Sequence, residues 1–283
     1  MTRVAVVGAG TMGHGIAYAA ALAGCVVTLT DERAEALHGA RAKIDDLLDG
    51  AVRRGKLAAP DRAAVASRLR TEAALADAVR EADIVIEAIV EDLAAKQRLF
   101  AELERLAPGE AFFATNTSSL SVADVARTVA VPERVVGMHF FNPVHAMTLV
   151  EVVPHDRTDR AAVDEALAFA RLLGKEPIVV RDSPGFASSR LGVVLGLEAM
   201  RMLEEGVASA EDIDKAMELG YGHSMGPLKV SDLVGLDVRL AIAEHLHRTL
   251  GGAHYAPPTI LRDKLARGEL GKKTGKGFYT WSP

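Results

Sequence analysis

The sequence predicts an α/β protein: a doubly wound, largely parallel sheet followed by an all-helical C-terminal region. Three observations predict it. Short β-rich runs alternate with stretches of helical periodicity from Val4 to Val180, the pattern of strands joined by crossover helices. A glycine-rich turn, Gly8-Ala9-Gly10-Thr11-Met12-Gly13, directly follows the first of those runs. After Asp182-Ser183-Pro184-Gly185 the texture changes, and no convincing strand follows.

In order along the chain, strands are expected over residues 4–7, 26–30, 84–87, 112–115, 135–139, 148–153 and 177–180. Each is a run of β-branched or aromatic residues bounded by turn formers. Helices are expected over 12–23, 33–54, 93–106 and 160–173. The 33–54 stretch is long for a crossover and could project from the sheet as an arm, and Pro60 then suggests a helical hairpin before the third strand. Beyond residue 186 apolar residues recur at three- and four-residue steps, as in Leu191, Val194, Leu195, Leu197 and Met202, the stripe of an amphipathic helix. Ser209 followed by Asp212 reads as an N-terminal cap for the next helix. Gly226-Pro227 and Pro257-Pro258 mark further breaks. The chain is therefore expected to divide into an α/β domain over 1–182 and an all-helical domain over 183–283.

Composition bounds the function. With 283 residues, 49% apolar and 25% charged, the chain has the make-up of a globular protein with a full core. A net charge of −5 offers no general attraction to nucleic acid or to an anionic membrane, so neither is expected as a partner. No apolar run reaches the roughly 20 residues needed to span a bilayer. The N-terminus enters a strand without a charged, cleavable leader. The single cysteine, Cys25, excludes an internal disulfide framework and fits a reducing, cytoplasmic setting, where it reads as a small core hydrophobe. No Cys/His/carboxylate spacing suggests a metal site.

Gly8, Gly10 and Gly13 form G-x-G-x-x-G between a strand and a helix. In that context Gly8 permits the tight turn, Gly10 leaves room for a pyrophosphate, and Gly13 lets helix pack on strand. The amides of the helix start, with Thr11 and Met12 in the turn, face the anion. Asp31 ends the second strand, near the expected spacing of about 20 residues. A carboxylate there accepts from ribose hydroxyls and repels a 2′-phosphate, which favours NAD over NADP; Arg33 nearby pulls the other way. Glu91 follows the strand that ends at Glu87, and Lys96 lies on the next helix. Both are placed at the carboxyl ends of strands, where they would line the nicotinamide end or form a surface ion pair.

His139 and Glu151 lie in Gly-Met-His-Phe-Phe-Asn-Pro-Val and Leu-Val-Glu-Val-Val. An imidazole near neutrality can take a proton from an alcohol, and a carboxylate on its other nitrogen would fix the tautomer and stabilise the imidazolium. A proton acceptor beside a hydride-acceptor site reads as alcohol–ketone oxidoreduction. Thr115-Asn116-Thr117-Ser118-Ser119 also ends a strand, and reads either as a helix-capping cluster or as donors to cofactor and substrate.

These motifs resemble the L-3-hydroxyacyl-CoA dehydrogenase family in its short, 3-hydroxybutyryl-CoA dehydrogenase form. The resemblance runs in order from the glycine turn through residues 85–91, 115–120, 139–143 and 149–153. It continues through 182–186, 208–219 and 225–227 to Gly271-Lys272-Lys273-Thr274-Gly275-Lys276-Gly277-Phe278-Tyr279. It implies a Rossmann-type NAD-binding domain followed by a helical substrate-binding domain through which the family forms homodimers. The implied reaction is reversible oxidation of the 3-hydroxyl of a 3-hydroxyacyl-CoA to the 3-ketoacyl-CoA. It implies that His139 is the base, Glu151 its partner, Ser118 a hydrogen-bond donor to the reacting oxygen, and Asn142 a member of the polar network. It also implies that Glu91, Lys96 and Asn116 lie on the cofactor side. Where the family has asparagine after Gly-Phe-x-x, this chain has Ser189, a shorter single donor that implies altered geometry or substrate range. Arg53, Arg54 and Lys56 stand where the family's arm meets the CoA phosphates, or form a solvated helix end. Two alternatives stand beside this reading: the same chemistry on a sugar acid or pyridine-ring alcohol without CoA, and a non-catalytic, crystallin-like homologue.

Overall fold

Residues 1–282 are described in the computed structural model of the chain. The chain divides into two compact units, Met1–Asp182 and Ser183–Pro283. The first carries eight strands: β1 (Arg3–Val7), β2 (Val26–Thr30), β3 (Leu69–Glu72), β4 (Ile84–Glu87), β5 (Phe112–Thr115), β6 (Val135–Phe140), β7 (Leu149–Val153) and β8 (Glu176–Val179). They form one sheet in the order β3-β2-β1-β4-β5-β6-β7-β8. Six strands from β3 to β6 are parallel, β7 is antiparallel to β6, and β8 is parallel to β7. The helices are α1 (Thr11–Leu22), α2 (Ala34–Arg53), α3 (Asp61–Ser67), α4 (Leu75–Val79), α5 (Leu93–Leu106), α6 (Val122–Val125) and α7 (Arg160–Leu172). The α/β class and the Rossmann-type winding agree with the sequence reading.

The central strands have nowhere to show a polar face. Every residue of β4, β5 and β6 is buried, as expected for strands covered by helices on both sides. Strand order reverses between β1 and β4, so the loops after these two strands open onto the switch-point crevice where such sheets bind ligands. α2 does not stand off as a bare arm: Leu37, Ala40, Ile44, Leu48 and Ala51 are all buried on one stripe, and α2 packs on α1 and α3.

The sequence reading missed β3 and α4. β3 reads Leu-Arg-Thr-Glu, with Arg70 and Thr71 exposed, and it pairs only with β2. A charged edge strand lacks the apolar run that betrays a buried one, and its charges discourage further pairing. Arg70 still anchors it, donating from Nε to Thr28 Oγ1 at 2.9 Å.

The second unit holds α8 (Ser188–Glu204), α9 (Ala210–Tyr221), α10 (Pro227–Val234), α11 (Leu236–Leu250) and α12 (Thr259–Ala266) around its own core. Ser209 caps α9 by accepting from the Asp212 amide. Leu191, expected on the buried stripe of α8, is instead 71% exposed. The C-terminal tail is held by Asp232, whose carboxylate accepts from the amides of Phe278 and Tyr279 and from Trp281 Nε1, each at 2.9 Å. Its lysines are occupied: Lys273 pairs with Asp237, Lys276 with Glu269, and Lys272 lies over the Trp281 ring.

Candidate active site

The glycine turn is built by close approach. Gly8 has φ +106°, and an added Cβ there would come within 2.5 Å of the Ala88 carbonyl oxygen; at Gly13 it would meet the Gly8 oxygen at 1.7 Å. A Cβ on Gly10 would meet nothing within 4 Å, so the space over the N-terminus of α1 is open. Gly10 is the N-cap and offers no side chain to the first turn of the helix. Uncapped amides facing an unobstructed space suit a pyrophosphate, and the residues present therefore fit a dinucleotide. Asp31 supports this turn: Oδ2 accepts from Ala9 N at 2.8 Å and Oδ1 from Arg33 N at 3.0 Å. The Arg33 guanidinium folds back on the same carboxylate, which offsets its pull on a 2′-phosphate. His14 is also tied into the turn, through Nδ1 and the Gly10 carbonyl at 2.8 Å.

Across the crevice the end of β4 carries a buried charge network. Glu87 is fully buried and accepts from Lys96 Nζ at 2.5 Å, Thr115 Oγ1 at 2.6 Å and Ile89 N at 2.8 Å. Lys96, 1% exposed, also lies 3.3 Å from Glu91 Oε2. It is therefore an inward cation between two carboxylates, not a surface pair on the start of a helix. Glu91 Oε1 in turn accepts from Thr117 Oγ1 at 2.6 Å, Ser118 N at 2.9 Å and Ser119 Oγ at 3.1 Å. Burial alone would raise the Glu91 carboxyl, but the Lys96 ammonium, the Thr117 hydroxyl and the Ser118 amide outweigh it and hold it below the ordinary range. Glu87 was missed from sequence. A carboxylate ending the wholly apolar Ile-Val-Ile run was the available signal, because such a group demands a buried partner.

β6 and β7 bring the next pair together. In their antiparallel register His139 faces Glu151 directly, which puts the two side chains on one face at contact distance. His139 Nδ1 lies 2.7 Å from Glu151 Oε2, with Glu151 fully buried and His139 7% exposed. A carboxylate only accepts, so Nδ1 carries the proton and Nε2 is the basic nitrogen of the neutral ring. Phe141 packs against the imidazole at 4.5 Å between centroids. Asn116 steadies the strand beside it, its Oδ1 accepting from the Phe140 amide at 2.9 Å. Ser118 lies half-buried next to Glu91.

Other expected site residues are placed differently. Asn142 is exposed at a cis peptide bond to Pro143, and among the described residues its side chain makes no hydrogen bond, so it is not brought into the polar network. Arg53, Arg54 and Lys56 are exposed at the end of α2. Arg54 and Lys56 line a cavity of about 550 Å³ with Tyr18, His145 and Lys175. His145 is pushed down by burial and by the like charges of Arg54, Lys175 and Lys56. Lys175 is held by the Met147 carbonyl at 2.7 Å and by that of Val144 at 2.5 Å. His155, by contrast, is structural, bonded to the Pro132 carbonyl. Ser189 lies in the first turn of α8.

A family model described as "3-hydroxyacyl-CoA dehydrogenase, NAD binding domain" matches residues 3–183, and one described as the C-terminal domain of the same enzyme matches residues 185–281. The chain belongs to the 3-hydroxyacyl-CoA dehydrogenase family. It is an NAD-dependent oxidoreductase acting on 3-hydroxyacyl-CoA. It is 41% identical to the probable 3-hydroxybutyryl-CoA dehydrogenase of Bacillus subtilis (strain 168), over 99% of this chain and 97% of that one. Identity to the 3-hydroxybutyryl-CoA dehydrogenase of Mycobacterium tuberculosis (strain ATCC 25618 / H37Rv) is 43%, over 99% and 98% of the two chains. The crystal structure of (S)-3-hydroxybutyryl-CoA dehydrogenase from Ralstonia eutropha superposes with a TM-score of 0.96 at 37% identity, covering 100% of both chains. No helix among the described residues is long and apolar enough to cross a membrane.

Proposed function

We propose that this member of the family reversibly oxidises short-chain L-3-hydroxyacyl-CoA, such as 3-hydroxybutyryl-CoA, with His139 as the general base. The observation that carries the reading is the 2.7 Å contact between His139 Nδ1 and Glu151 Oε2, set by strand register. His139 Nε2 takes the proton of the 3-hydroxyl, and Glu151 stabilises the imidazolium that results. The hydride acceptor is supplied by bound NAD. In the reverse direction the imidazolium returns its proton to the ketone oxygen. Ser118 donates to that oxygen, and Glu91, with Lys96 behind it, holds the Ser118 loop in place. Gly8, Gly10, Thr11, Met12 and Gly13 hold the pyrophosphate, Asp31 receives the ribose hydroxyls, and Asn116 keeps β6 in register beside the cofactor.

Ser189 meets the substrate near its thioester or 3-oxygen, and Arg53, Arg54 and Lys56 take the CoA phosphates. The names of the similar proteins support the short chain. The enzyme works in the cytoplasm as a homodimer formed through its helical unit. Leu191, Leu219 and Tyr221, each more than 70% exposed there, are apolar surface of the kind that dimers cover.

The test is NADH oxidation with acetoacetyl-CoA, run beside a panel of free hydroxy acids and sugar acids with NAD. Turnover of the thioester is expected. Turnover of free acids alone would transfer the chemistry to a substrate without CoA.

A further inference from the structure

Arg239, on α11, is 6% exposed. Its Nε is buried without a hydrogen-bond partner, and among the described residues its guanidinium has no ion pair. Burial pushes the group down to about 10, which leaves it charged at neutral pH. Acids on α8, α10 and α11 of the same unit are engaged elsewhere. Asp237 pairs with Lys273, Glu198 with Arg201 and Glu244 with Arg262. Asp214 and Asp232 each accept from three donors among amides, a hydroxyl and an indole. A buried cation without a counter-charge is costly, and chains seldom carry one without a use for it.

The guanidinium lies over α8 at a position without a side chain. A Cβ built on Gly192 would meet Arg239 Nη1 at 3.5 Å and, outside the backbone of its own helix, nothing else within 4 Å. Gly192 follows Ser189 by three residues and Ser188 by four, so all three share one helix face. The rise from Ser189 to Gly192 is about 4.5 Å. The unpaired cation is therefore reached along the face that carries Ser189, one turn further on, and Gly192 leaves the approach open.

We propose that Arg239 binds a carboxylate carried by the acyl chain, so that the preferred substrates are short 3-hydroxyacyl-CoA thioesters with a distal carboxylate. This deepens the proposed function and rests on Ser189 facing the thioester end of the substrate. With the thioester end at Ser189, one turn of helix separates it from the guanidinium, a distance that a few methylene groups span. The planar fork of arginine suits a carboxylate in a bidentate pair. An unsubstituted butyryl chain would leave the cation without its partner.

The experiment compares kcat/KM for 3-oxoadipyl-CoA and acetoacetyl-CoA with NADH, in the wild type, Arg239→Met and Arg239→Lys. The wild type is expected to favour the diacid thioester by about tenfold or more, the worth of one charge-assisted hydrogen bond. Arg239→Met should abolish that ratio through KM for the diacid, and Arg239→Lys should restore part of it. A wild-type ratio at or below unity, or a ratio that survives Arg239→Met, overturns the assignment while the dehydrogenase reading stands. Without ligand, Arg239→Met should unfold at the same or a higher temperature, because it removes an unpaired charge. A marked loss of stability would reveal a partner within the chain. Dissociation of a wild-type dimer in Arg239→Met would show that a second copy supplies the counter-charge. Either result overturns the proposal. If neither thioester is turned over, the proposed function itself fails and this inference falls with it.

Discussion

Both units bury carboxylates completely, but they spend them on different partners. In the first unit Glu87 meets the ammonium of Lys96, and Glu151 meets the imidazole of His139. In the second, Asp214 accepts from Leu228 N, Lys229 N and Tyr279 OH, and Asp232 from two tail amides and the Trp281 indole. The pair with His139 has a partner whose charge can change with a proton, so its electrostatics can follow a reaction. The second-unit acids face fixed dipoles. They tie helix to helix and tail to body, and a change of substrate has nothing to alter there. The Tyr279 hydroxyl is held far above its ordinary range by burial and by Asp214, which fits a permanent donor.

The contrast breaks most visibly at His139. His139→Ala should lower turnover of acetoacetyl-CoA by about 10³-fold or more while NAD affinity, read by fluorescence titration, stays nearly intact. A loss of only a few-fold would remove the proton-transfer role. Asp232→Ala should do the reverse. Three orphaned donors cost about 3 kcal/mol or more, visible as an earlier urea transition, while NAD affinity of the folded protein persists. If Asp232→Ala unfolds like the wild type, the tail is held by its aromatic packing and not by the acid. Asp31→Ala sharpens the comparison at a third acid, one that supports a ligand loop. Losing the carboxylate should narrow the preference for NAD over NADP by about tenfold. An unchanged preference would confine Asp31 to bracing Ala9.

Much of this division was legible beforehand. β2, β4 and β5 are short runs rich in β-branched or aromatic residues with sharp ends, and their limits could be read directly. β3 could not, because an exposed edge strand of Leu-Arg-Thr-Glu carries no apolar pattern. The helical character of the second unit followed from periodicity, though its division into five helices did not, and Leu191 on the expected stripe faces outward, since periodicity defines a face but not what covers it. His139 and Glu151 stood out as residue types. Their direct opposition depends on the β6–β7 register, which a sequence does not state. Lys96 was visible as a cation near Glu91, but its burial rests on Glu87, hidden in an apolar run. Asn116 and Asn142 look alike in sequence; one braces Phe140 and the other is exposed beside Pro143. Arg239 gave no signal at all, because an arginine on an amphipathic helix ordinarily faces solvent.

The most direct test of the central claim is the pH dependence of kcat/KM in both directions, for the wild type and Glu151→Gln. With a neutral imidazole as base, oxidation should rise with pH and reduction should fall. Removing the counter-charge of the imidazolium should slow both and alter the shape of both profiles. Profiles that coincide in the two proteins would contradict the account, since the carboxylate facing His139 would then play no part in moving the proton.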